Sequence, residues 1–115
     1  MATDCIFCKI ATGEMGTEFV YESDDIVAFR DLNPQAPQHI LIIPKKHIEK
    51  ISDLEDKHEA LMGKMMLAAK KIADQEKVAE KGFRLVFNNG ENGGQEVMHI
   101  HMHLLAGRQL NWPPG

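Results

Sequence analysis

Near the C-terminus, imidazole and hydrocarbon side chains alternate through His99-Ile100-His101-Met102-His103-Leu104-Leu105. Successive side chains of a β-strand point to opposite faces, so a period of two marks a strand with one face in a core. The pattern predicts a strand over Val97–Leu105, with His99, His101 and His103 on one face and Ile100, Met102 and Leu104 on the other. Such a strand does not stand alone. Its apolar face needs neighbouring strands and a covering element, which the rest of the chain has to supply.

Phe19-Val20-Tyr21 and Ile26-Val27-Ala28-Phe29 are rich in strand formers and flank the polar run Glu22–Asp25, which predicts a hairpin. His39–Ile43 reads as a third strand stopped by Pro44. Asn33-Pro34-Gln35-Ala36-Pro37 before it reads as a loop, since neither proline has an N–H for a sheet ladder. Ser52 and Glu55 form a capping-box pattern that opens a long helix over Asp53–Lys77. Its residues Leu54, Leu61, Met62, Met65, Ala68, Ala69, Ile72 and Ala73 fall in a stripe about 160° wide, at ~100° per residue. Gly82 ends that segment, Phe83–Phe87 is a fourth strand, and Asn88–Gly94 reads as a loop. Ile6, Phe7 and Ile10 predict one or two helical turns within Asp4–Ala11. The sum is an α+β chain with a five-stranded antiparallel sheet, one long helix and one short one. Its 115 residues are the size of a single domain.

Lys and Arg number 13 against 17 Asp and Glu, a net charge of −4. That balance excludes a general nucleic-acid binder and leaves room for one local anion site. No apolar run approaches the ~20 residues of a membrane span. Met1–Ile10 has no basic region followed by a long apolar stretch, so a cytoplasmic protein is expected. In a reducing compartment, Cys5-x-x-Cys8 reads as a metal or redox pair.

Alternating histidines suit two chemistries. They could hold a metal, as three ligands of a zinc hydrolase. Alternatively one imidazole attacks a phosphorus centre while its neighbours donate to oxygens or to the leaving group. The run Gly90-Glu91-Asn92-Gly93-Gly94-Gln95-Glu96, whose glycines let backbone N–H groups approach closely, favours an anion over a bare metal cage.

Gly93-Gly94-Gln95, the His-x-His-x-His-Leu-Leu run and Gly107-Arg108-Gln109-x-x-Trp112-Pro113-Pro114-Gly115 resemble the histidine triad (HIT) family, most closely its Hint branch. Ile6-Phe7-x-Lys9-Ile10, the stretch from Ala28 to His39 and Ile43–Ile48 extend the likeness over nearly the whole chain, residues 1–115, as one HIT domain. The resemblance implies a HIT-like fold in a homodimer. It also implies a purine nucleotide-binding hydrolase that cleaves nucleoside 5′-phosphoramidates and acyl-nucleotides to the nucleoside monophosphate through a nucleotidyl-histidine intermediate. Adenylates made by aminoacyl-tRNA synthetases belong to the substrates it implies, and it implies no organic cofactor, nucleic acid or membrane.

By the same resemblance His101 is the nucleophile, His103 contacts phosphate oxygens and the leaving amine, and His39 and His99 support them. Asp31 takes the ribose hydroxyls, and Phe7, Ile10, Phe29 and Leu32 form the slot for the base. Asn88, Gly94, Gln95 and Glu96 meet the phosphate region, and Trp112 in the tail reaches the partner subunit's site. Glu96 departs from the Ser usual in eukaryotic members, so its backbone N–H is expected to face the ligand. Cys5, Cys8, His47 and His99 are implied as a structural zinc site. Taken alone, Asp31 would be a turn cap, the four apolar residues plain core, and Trp112 a residue that has to pack on something. Two other readings stay open: a nucleotide-binding regulatory or interaction module with incidental catalysis, and a dinucleoside polyphosphate hydrolase.

Overall fold

Five antiparallel strands lie in the order β1-β2-β3-β5-β4 in the computed structural model, which describes residues 4–115. In chain order they are β1 (Tyr21–Glu22), β2 (Ile26–Arg30), β3 (Gln38–Pro44), β4 (Phe83–Phe87) and β5 (Met102–Ala106). Helix α1 (Ile6–Ala11) precedes them, α2 (Glu59–Gln75) links β3 to β4, and the short α3 (Gly90–Gly93) lies before β5. Among the described residues no helix is long and apolar enough to cross a membrane.

The alternation of side chains divides the interior in two. Ile26, Ala28, Ile40, Ile42, Met102, Leu104 and Ala106 face α2 and bury Met65, Ala68, Ala69, Ile72 and Ala73. The other faces of β2 and β3 contribute Val27, Phe29, Leu41 and Ile43 to a second cluster, closed by Phe7 of α1. With both faces covered, β2 and β3 read as continuous apolar runs, while the edge strand β4 is half-buried throughout.

Four elements differ from the sequence expectation. Strand β1 is Tyr21–Glu22, shifted from Phe19–Tyr21 into the expected turn. The long helix starts at Glu59, because Ser52 is used elsewhere: its N–H and hydroxyl both donate to Asn89 Oδ1, at 2.9 and 3.2 Å. Two 3₁₀ turns, Ile51–Asp53 and Asp56–His58, fill the approach, and the capping box is the pair Glu55–His58. The helix ends at Gln75, ahead of Lys77, which takes a positive φ of 60°. The Asn88–Gly94 loop contains the turn α3, which Gly94 closes in the left-handed region. Finally, β5 begins at Met102, so His99 and His101 lie before the strand.

Candidate active site

The diagonal register of β3 and β5 brings two histidines together on the sheet face away from α2. His39 pairs with Leu105 and His103 with Leu41, so the two rings are diagonal neighbours. A chain of hydrogen bonds orders them. Gln35 N–H donates to His39 Nδ1 at 3.0 Å, so the neutral ring carries its proton on Nε2. That Nε2–H donates to His103 Nδ1 at 2.9 Å, and the Asp31 carboxylate lies 3.5 Å from the same Nε2. His103 therefore presents Nε2–H, a buried donor with no partner among the described residues. Buried donors are nearly always paired, so an unpaired one beside a cavity marks where an acceptor binds.

His101 has the opposite tautomer. Its Nδ1–H donates to the His99 carbonyl at 2.8 Å, which leaves a lone pair on Nε2. Phe7 packs edge-on against the ring with centroids 5.1 Å apart, and the His103 ring lies 5.0 Å away. Burial, and then the neighbouring His101 and His39, push His103 down to about 4. Burial also lowers His39, against the pull of Asp31. The site thus offers an uncharged donor on His103, beside the Nε2 lone pair that the His101 hydrogen bond leaves open.

A cavity of about 270 Å³ opens over these atoms, lined by Asp31, Asn33, Gln35, His39, Asn88, Gly94, Glu96, His101 and His103. Asn33 and Gln35 are additions to the expected set; their position in the loop before His39 was the available signal. Asp31 also caps its turn, accepting Asn33 N–H at 2.8 Å. Gln95 does not join the lining. Its buried side chain holds the loop together, accepting from Gly90 N–H and donating to the Glu49 and Val97 carbonyls. Phe7 and Phe29 are buried in the second core cluster with Ile10 packed on it, whereas Leu32 is fully exposed. Trp112 is 81% exposed within the single chain, so the cover expected for it is not supplied by the described residues.

The three alternating histidines do not converge on one metal. His99 turns its ring away from His101 and His103 and towards α1, which overturns the zinc-hydrolase reading. Its Nε2–H donates to the Pro44 carbonyl at 2.8 Å, and Nδ1 faces Cys5 Sγ at 3.3 Å, Cys8 Sγ at 3.5 Å and His47 Nδ1 at 3.2 Å. Cys8 Sγ is 3.4 Å from His47 Nδ1. Zn–N and Zn–S bonds of about 2.05 and 2.3 Å give tetrahedral edges of roughly 3.3 to 3.8 Å, so these spacings suit one tetrahedral ion. The donor set, two thiols and two ring nitrogens, is also the set that such an ion prefers. Burial and then Cys5 push the Cys8 thiol up to about 11, a bias towards the thiol that a bound cation reverses. Burial also holds His99 near 4, leaving Nδ1 free to ligate.

Comparison with known proteins follows the same line. The HIT domain model matches residues 12–110. The purine nucleoside phosphoramidase of Escherichia coli K12 is 52% identical over 110 residues, covering 96% of this chain and 92% of that protein. The crystal structure of a HIT family hydrolase from Legionella pneumophila Philadelphia 1 superposes with a TM-score of 0.95 at 55% identity, over 97% of this chain and 100% of that one. A histidine triad protein from Clostridium difficile gives a TM-score of 0.92 at 48% identity, over 95% of each chain.

Proposed function

The chain belongs to the HIT family, and from that premise we propose that it is a hydrolase of purine nucleoside 5′-phosphoramidates, with acyl-nucleotides as a related substrate class. One observation carries the reading: a lone pair on His101 Nε2 and an unpartnered donor on His103 Nε2 border the same cavity. Nucleophilic transfer to phosphorus requires that pairing of an electron pair with a donor, and simple nucleotide binding does not require the lone pair.

In this reading His101 Nε2 attacks phosphorus as the P–N bond to the amine breaks. The nitrogen takes up a proton from solvent as it leaves. His103 Nε2–H hydrogen-bonds to the oxygen or nitrogen where negative charge develops, and it is placed to do so before substrate arrives. Water then attacks the nucleotidyl-imidazole, the new P–N bond breaks, nucleoside monophosphate leaves, and His101 returns to its neutral form. Because His101 Nδ1–H stays on the His99 carbonyl throughout, the ring cannot turn its lone pair away.

The Asp31 carboxylate fits the ribose hydroxyls, and a purine over it would cover the exposed side chain of Leu32, with Ile10, Phe7 and Phe29 behind. Asn88, Gly94 and the Glu96 N–H fit the phosphate, since all three residues line the cavity, while the Glu96 carboxylate would repel that anion. Cys5, Cys8, His47 and His99 fit a structural zinc. Bound there, zinc would supply a crosslink between α1 and the segment leading to His101. The exposed Met66 and Leu67 of α2, the β4 edge and the exposed Trp112 fit a homodimer in which the tail borders the partner's site.

The test is to quench turnover of a labelled adenosine phosphoramidate early and map the covalent nucleotide. It should lie on His101, and His101→Ala should lose nearly all turnover while still binding the monophosphate. Undiminished turnover in that variant would end the mechanism.

A further inference from the structure

Residues 31–37 carry three lining residues, Asp31, Asn33 and Gln35, and set the His39 ring, yet little holds them. Pro34 and Pro37 have no N–H. Inside the stretch, the hydrogen bonds are Asn33 N–H to Asp31 Oδ1 and the Gln35 side-chain amide to the Asn33 carbonyl. Among the described residues, one hydrogen-bonding side chain reaches Gln35 from outside positions 31–39. It is Arg108, whose Nε and Nη2 both donate to the Gln35 carbonyl, at 3.3 and 3.0 Å. Its Nη1 donates to the Gln109 carbonyl, which ties the guanidinium to its own tail.

The residue before it shows that this approach is built in. Gly107 has φ +97°, and a Cβ there would lie 2.8 Å from Pro37 Cβ. Only glycine lets the chain leaving β5 press this closely on the loop, and that contact brings Arg108 within reach of Gln35. Arg108 does not line the active-site cavity, and among the described residues it pairs with no carboxylate.

We propose that Arg108 is a positioning residue for catalysis: by clamping Gln35 it fixes the His39 ring and, through it, the direction of the His103 Nε2–H. The relay is Arg108 to the Gln35 carbonyl, Gln35 N–H to His39 Nδ1, and His39 Nε2–H to His103 Nδ1. This rests on the reading that His103 donates during phosphoramidate hydrolysis.

The experiment compares wild type, Arg108→Gln, Arg108→Lys, His39→Gln and the double variant His39→Gln/Arg108→Gln. Lys81→Ala serves as control, since Lys81 lines the neighbouring surface cavity beside Arg108 and has no part in the relay. Loss of a group that orients another typically costs 10–100-fold at metal-site ligands, and we expect kcat about tenfold lower for Arg108→Gln with KM little changed. Lysine, with one compact ammonium instead of a fork, should recover part of the loss. Lys81→Ala should match wild type, and the double variant should equal His39→Gln, because Arg108 acts only through that ring. Multiplicative losses in the double variant, an effect on KM alone, or an equal loss in Lys81→Ala would each overturn the assignment. Nitrogen-15 spectra of the imidazoles give a readout free of turnover: Arg108→Gln should move the His39 and His103 ring signals. If wild type fails to hydrolyse phosphoramidates, the functional reading falls while these signals still decide on Arg108.

Discussion

Acid should weaken this fold through His103, by an amount that one substitution can isolate. In the folded chain burial and the adjacent rings hold His103 near 4. In the unfolded chain a histidine titrates near ~6.5. Between those values the unfolded chain binds a proton that the folded chain does not. The folding advantage of the neutral ring is therefore complete above ~6.5 and is lost as pH falls towards 4. For a shift from about 6.5 to about 4, linkage gives a loss of about 2 kcal/mol between pH 7 and pH 5. Solvent entering from the open cavity reduces this towards about 1 kcal/mol.

The assay is urea unfolding of wild type and His103→Gln at pH 7 and pH 5. Glutamine can still accept the His39 Nε2–H but does not titrate in this range. Wild type should lose about 1–2 kcal/mol more than the variant over those two pH units. Acid effects on the Cys5–Cys8–His47–His99 cluster occur in both proteins and cancel in the difference. Equal losses in the two proteins would refute the claim that burial keeps this ring neutral.

Two further outcomes follow from the geometry. Protein purified without chelator should carry about one zinc per chain, lost in Cys8→Ser, and chelation should lower the unfolding temperature of wild type but not of that variant. Light scattering at micromolar concentration should give twice the 12.9 kDa chain mass, and a charged residue in place of Met66 should shift it towards the monomer mass while exposing Trp112 fluorescence to quenchers.

The parts of the fold that follow local rules were legible in the chain. Strands β2, β3 and β4 fell where runs of strand formers stop at turn residues, whereas β1 took Glu22 from the expected turn, and Phe7 already marked a packed face of α1. What was not legible depended on distant partners. Ser52 is as good a cap by type as any, but Asn89, 37 positions away, takes both its donors. The helix therefore starts one turn past Glu55, where His58 Nδ1 accepts Glu55 N–H. Arg108 in the tail gave no local sign that it would reach Gln35. Leu32 and Trp112 read as apolar side chains needing cover, and within one chain neither has it.

The split of the histidine face follows largely from Pro44. Strand β5 pairs with β3 as far as Met102 opposite Ile42, and the same register would set Ile100 opposite Pro44. Proline has no N–H to offer there, so the ladder stops and Ile100 N–H goes instead to the Ile48 carbonyl, at 2.7 Å. The freed segment keeps its alternation without the sheet. The Pro44 carbonyl takes His99 Nε2–H, which fixes that tautomer and aims Nδ1 at the two cysteines. With the ring so held, the His99 carbonyl is left to accept from His101 Nδ1, which sets the lone pair on the cavity side. Two histidines of one alternating run thus face a sulfur–nitrogen cluster and the cavity, divided by a missing donor on the neighbouring strand. Position 99 serves one site through its ring and the other through its backbone carbonyl, so replacing the histidine by asparagine should take one ligand from the Cys5–Cys8–His47–His99 cluster while leaving that carbonyl in the chain.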